Sequence, residues 1–109
     1  MVGTQIFSDL LRGHTDTVVL STLVGGDHYG YEIIQVVREK SMNGLQLRDA
    51  TLYSCLRRLQ SSGSVTWYWG DETQGGRRKY YSITVHGRAI HEENRKKWEN
   101  TKAIMDLLL

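Results

Sequence analysis

Apolar residues recur along this chain with helical spacing in three early stretches. A short β-branched and aromatic region follows, and a last, longer helical run ends the sequence. In "QIFSDLLRGHTDTVVLSTLVG", residues 5–25, Ile6, Phe7, Leu10 and Leu11 share one side, and Val18, Val19, Leu20, Leu23 and Val24 make a second apolar patch, which predicts a helix. Gly13 stands between the patches, where glycine weakens or bends a helix. "GGDHYG" breaks the pattern. "YEIIQVVREKS" resumes it, with Ile33, Ile34 and Val37 inward and Glu32, Arg38, Glu39 and Lys40 outward. After a turn at "NG", Leu52, Leu56 and Leu59 fall at i, i+4 and i+7 and predict a third helix, which Gly63 is suited to end.

"SVTWYWG" and "RRKYYSI" are β-branched and aromatic and predict two strands, joined by the loop "DETQGG" into a hairpin. Thr84 is a plausible N-cap for a helix over 84–109, in which Ile90, Asn94, Trp98, Thr101, Met105 and Leu108 step by three or four. At ~1.5 Å per residue this helix would be ~39 Å long, more than a small domain needs to cover its own core. The order predicts an α+β, mostly α fold: a winged helix-turn-helix over 1–83, including the N-terminal helix, and a C-terminal dimerisation helix over 84–109, in one structural domain.

Composition narrows the partners. The chain has 109 residues, which suits one domain, and a net charge of only +2, so any nucleic-acid footprint must be local. A single cysteine, Cys55, allows no internal disulfide and fits a reducing compartment. No basic segment followed by an apolar run stands at the N-terminus, and no apolar run is long enough to cross a bilayer, so the expected location is the cytoplasm, without membrane contact.

Two basic ridges carry the candidate chemistry. The wing holds Arg77, Arg78 and Lys79, which alternate faces on a strand, so at least two can reach DNA phosphates beside the hairpin tip. The alternative is a solvated strand edge protected from aggregation by charge. A phosphate-binding P-loop does not fit, because Gly76 is followed by Arg77 and a strand rather than by Gly-Lys-Ser/Thr opening a helix. The third helix turns Thr51, Ser54, Arg57 and Arg58 away from its leucines, with Arg48 ahead of them; arginine can bond guanine edges and hydroxyls can reach bases or phosphates. Each ridge alone could be an ordinary solvated face. His14, His28, His86 and His91 form no metal-ligand pair, and with one cysteine no zinc set exists, so neither a metal cofactor nor an enzyme is expected. Cys55, on the core side of the third helix, reads as a buried inert thiol.

"YGYEI" at 29–33, "ATLYSCLRRLQSSG" at 50–63 and "GGRRKYYSITVHG" at 75–87 together resemble the PadR family of bacterial transcriptional regulators, and "YWGDETQGGRRKYY" resembles its short, multidrug-binding type. The resemblance runs from about residue 10 to about residue 100. It implies a homodimeric winged-helix repressor of a double-stranded DNA operator, with the third helix in the major groove and the wing on flanking backbone. Tyr53 matches the family's "TLY" tyrosine, which makes DNA contact one role for it and packing against the core the other.

The resemblance also bears on Trp98, which stands between "ENRKK" and "ENTK". On its own, such a tryptophan suggests an interface anchor. In the short PadR type a tryptophan at this place lines a pore at the dimer interface and stacks on flat aromatic drugs, and the facing wall would come from Leu10, Gly13, Thr17 and their symmetry mates. Arg95 and Lys102 flank Trp98, and Asp16 is a candidate anion on the first helix. The leading expectation is a repressor released by a small aromatic effector. A winged helix serving only protein interaction is a second class, which the basic wing speaks against; a metal- or redox-sensing regulator is a third, which the lack of a ligand cluster speaks against.

Overall fold

The computed structural model describes residues 13–71 and 76–109. Among them are four helices and a small antiparallel sheet: α1 (Thr15–Val24), β1 (His28–Tyr29), α2 (Gly30–Lys40), α3 (Asp49–Ser61), β2 (Val65–Trp69), β3 (Lys79–Ile83) and α4 (Val85–Leu108). The fold is the expected winged helix-turn-helix, mostly helical, with a long C-terminal helix.

The first helix differs from its expectation. Gly13 takes φ +90, a left-handed conformation that a helix does not contain, so one uninterrupted helix over 5–25 does not form and α1 begins at Thr15. Leu10 lies outside the described residues. The inward faces of α1, α2 and α3 meet: Val19, Leu20, Leu23, Ile33, Leu52 and Leu56 are almost wholly buried, with Cys55 among them and Val65 and Ile83 closing the core from the sheet, whereas Val24, read into the same patch, is exposed at the end of α1.

The helix-turn-helix is set by its turn. After α2, Met42 and Asn43 both take left-handed φ, and their amides return to the carbonyls of Glu39 (3.1 Å) and Arg38 (2.8 Å). Ser41 Oγ then accepts from the Leu45 amide at 3.0 Å, and Leu47 turns into the core before α3 starts. Gly63 ends α3 as predicted, at φ +76: its amide donates to Gln60 O (3.1 Å) and the Ser64 amide to Leu59 O (2.8 Å).

The sheet has the order β1–β3–β2, with Val65 opposite Ile83 and Trp69 opposite Lys79. The predicted hairpin is there, but β3 starts at Lys79, so Arg77 and Arg78 precede the strand instead of lying in it. Gly70 still donates to Arg78 O at 2.7 Å, which holds the base of the wing together. The third strand was not expected: His28 and Tyr29 pair with Tyr81 and Tyr80 inside the stretch read as a break.

Thr84 caps α4 as predicted. Its hydroxyl accepts from the Gly87 amide (2.9 Å) and donates to Gly63 O (2.6 Å), joining the start of the long helix to the end of α3. Gly87 allows this closeness, since a Cβ there would strike the Ser64 carbonyl.

Candidate nucleic-acid interface

The core stripe of α3 decides what its other side presents. With Leu52, Cys55, Leu56 and Leu59 buried, Thr51, Tyr53, Arg57 and Arg58 are exposed, Ser54 is half-buried, and Arg48 is exposed at the N-cap. Tyr53 lies across the start of α2. A Cβ on Gly30 would collide with its hydroxyl and ring, so the ring packs against bare backbone while the residue stays 42% exposed. Both roles expected for Tyr53 are therefore open to it: the ring is packed and an edge faces solvent.

The inner face of the sheet continues this surface. Lys79 Nζ sits 4.1 Å from the centre of the Trp67 ring and 5.9 Å from that of Tyr81. The Tyr81 phenol is pushed up by burial and by neighbouring Tyr53, against the pull of Arg57. Lys79, Tyr81, Tyr53 and Arg57 thus form one continuous neighbourhood from the wing to α3. On the outer face Tyr80 meets Tyr29 edge to face (5.5 Å) and stacks with Tyr68 (5.8 Å), and the Arg78 guanidinium lies 4.7 Å over the Tyr29 ring. The bases therefore divide between faces: Lys79 goes to the inner one and Arg78 to the outer one. Arg77 is exposed. Tyr68 donates to Asp27 Oδ2 at 2.7 Å, tying β2 to the loop before β1.

Arg58 is engaged by an acid on another helix. Its Nη2 is 2.9 Å from Asp16 Oδ1 on α1, and its Nη1 is 3.3 Å from Ser54 Oγ. The same Asp16 oxygen accepts from the Cys55 thiol at 3.0 Å. Burial, helped by this carboxylate, pushes the Cys55 thiol up to about 12, so the proton stays on sulfur and serves as the donor. The Asp16 hydrogen bond and charge in turn raise the Arg58 guanidinium. Asp16, expected as an anion near Trp98, is thus engaged with the third helix. The spacing of 42 residues between Asp16 and Arg58 kept this pair out of a reading made from local pattern.

Trp98 is 45% exposed, and the His14 ring meets it edge to face at 5.4 Å. Gly13 is exposed beside His14, and Thr17 is half-buried one turn further on. Arg95 and Lys102, expected to make the surroundings of Trp98 positive, are paired along α4 with Glu92 (3.1 Å) and Glu99 (3.5 Å). His91 Nε2 and Ser21 Oγ, 2.8 Å apart, join α4 to α1 nearby. Among the described residues no group of His, Cys, Asp and Glu could hold a metal ion, and no helix is long and apolar enough to cross a membrane.

This geometry meets a family model. The transcriptional regulator PadR-like family matches residues 19–93, which takes in the whole helix-turn-helix, the wing and the first part of α4. The chain belongs to the PadR-like family. A transcriptional regulator from Clostridium thermocellum is similar at 40% identity, with a TM-score of 0.83 over 90% of this chain and 95% of that one. A PadR family transcription regulator from Clostridium difficile is 35% identical, with a TM-score of 0.76 over 85% and 95% of the two chains. An uncharacterised protein of Lysinibacillus sphaericus is 41% identical over 105 residues, 96% of each chain. PadR regulators bind DNA, and this chain is a DNA-binding transcriptional regulator, not an enzyme.

The buried thiol gives this PadR chain a simple chemical property. Native protein at pH 8 should resist alkylation of Cys55 by iodoacetamide, since the thiolate is the nucleophile and burial suppresses it. Mass spectrometry should find modification only after denaturant is added. Rapid labelling of the folded protein would show an accessible thiolate and reopen a redox role.

Proposed function

We propose that this PadR regulator is a homodimeric repressor that binds an operator through α3 and the wing and is released by a flat aromatic molecule at the dimer interface. The observation that carries the reading is the state of α4. Every residue from Arg95 to Leu109 is exposed, including Trp98, Ile104, Met105, Leu107 and Leu108. A helix with apolar residues that its own domain leaves uncovered calls for a partner, and a second copy supplies one by symmetry. A two-fold axis also matches paired half-sites on a duplex.

In this reading α3 enters the major groove. Thr51, Ser54 and Arg57 face base edges, Arg48 and Arg58 lie nearer the backbone, and Tyr53 contributes its exposed edge. Arg77, Arg78 and Lys79 meet flanking phosphates. Trp98 offers an indole face to the effector, with Gly13, Thr17 and Leu10 expected on the facing wall. Release is a linked equilibrium: effector favours one spacing of the two recognition helices and DNA favours another. A coupling of about 1–3 kcal/mol changes DNA affinity roughly 5- to 150-fold.

Two experiments test the two halves of this reading. The double variant Arg77→Ala, Arg78→Ala should bind specific and random duplexes more weakly. Each lost phosphate contact should lower the slope of log K against log salt by about 0.9. An unchanged slope and affinity would remove the wing from the interface. Trp98→Ala should lose binding of flat aromatic dyes, followed by dye fluorescence, and should remain a dimer in sedimentation at micromolar concentration, because Ile104, Met105 and Leu108 persist. A monomeric variant would make Trp98 an anchor contributing ~2 kcal/mol or more to the interface. A dimeric variant that still binds dye would remove Trp98 from the effector site.

A further inference from the structure

Within the proposed DNA face, Arg58 already holds an anion. Arg58 points from α3 to Asp16 on α1, with side chains 56% and 39% exposed, so the pair lies at the surface. Surface ion pairs of this kind are weak, because water screens them and two side chains must be held in one geometry. Duplex DNA is a dense polyanion whose binding also releases counterions. A phosphate brought within reach of α3 therefore competes on favourable terms for the Arg58 guanidinium.

The built part of this arrangement is on the acid side. Asp16 Oδ1 accepts from the buried Cys55 thiol at 3.0 Å as well as from Arg58 at 2.9 Å. Asp16 also lies in the first turn of α1, where the helix dipole favours a negative charge. If Arg58 leaves, the carboxylate keeps a hydrogen-bond donor and a favourable field, and no buried polar group is orphaned. Arg58 itself donates to Asp16 and to Ser54 of its own helix, and its side chain is more than half exposed.

We propose that Asp16 is an internal stand-in for a DNA phosphate: it holds Arg58 in the free protein, gives it up on DNA, and so sets the baseline affinity of the regulator. The inference rests on the proposed placement of Arg58 at the DNA face. Asp16 tunes affinity without touching DNA. The exchange transfers Arg58 from one anion to another and leaves Asp16 on the thiol.

A double-mutant cycle on a random-sequence duplex, read by fluorescence anisotropy, tests it. Asp16→Asn keeps an oxygen for the Cys55 thiol and removes the competing charge; a thermal melt checks that the fold is kept. It should tighten DNA binding by roughly 1.4- to five-fold, the range that weak surface pairs span. Arg58→Gln should weaken binding, and adding Asp16→Asn to it should change nothing further. Weaker binding by Asp16→Asn alone would overturn the proposal and make the pair a brace for α3. Equal tightening with or without Arg58 would also overturn it, since that is the removal of a nearby negative charge. If Arg58→Gln binds as the wild type does, Arg58 is off the interface and the competition falls, while the Arg77 and Arg78 variants separately report whether the DNA face itself stands.

Discussion

Burial of the apolar side of α1 is the constraint on which the other elements depend. Val19, Leu20 and Leu23 are sealed from solvent on a helix of only 10 residues, which packs against α2, α3, α4 and β3 at once. A helix this short gains little from its own hydrogen bonds and exists because tertiary packing holds it. The exchange is mutual. α2 and α3 keep their angle because they lean on a common neighbour, and the start of α4 is held to the same body by Ser21 and His91.

The same short helix touches both proposed sites. His14 at its N-cap lies on Trp98, and Asp16 in its first turn holds Arg58 of α3. Two residues of separation thus join the exposed half of α4 to the helix proposed to read DNA. Both contacts lie at the surface, but the helix that carries them is anchored by the buried Val19, Leu20 and Leu23, so α1 moves as one unit. That gives the proposed linkage between effector and operator a short physical route, through a turn that Gly13 makes possible with its left-handed backbone.

Much of this was legible from local pattern because the forces concerned are local. The stripe of Leu52, Leu56 and Leu59 had one way to face a core. Gly63 could take the left-handed φ that ends α3, and Thr84 had the hydroxyl that starts α4. What stayed hidden depends on residues far apart in the chain. β1 is only two residues long, too short for an alternation to register, and it forms because β3 offers an edge to His28 and Tyr29. Gly30 reads as part of a break, but it leaves room for the Tyr53 ring from another helix. Arg95 and Lys102 looked like a positive setting for Trp98, but Glu92 and Glu99, each three residues away, engage them. Arg58 looked like one more base on a ridge until α1 brought Asp16 against it.

In the proposed complex, α3 and the wing of two chains read a duplex together. Selection of bound duplexes from a randomised pool tests this most directly, because the pool contains every short operator and none has to be chosen in advance. The pool should become enriched in one short motif in two copies related by a two-fold axis, their centres about 34–36 Å or a multiple of that apart along the helix. Enrichment of a single unsymmetrical motif, or none above non-specific binding, would contradict it.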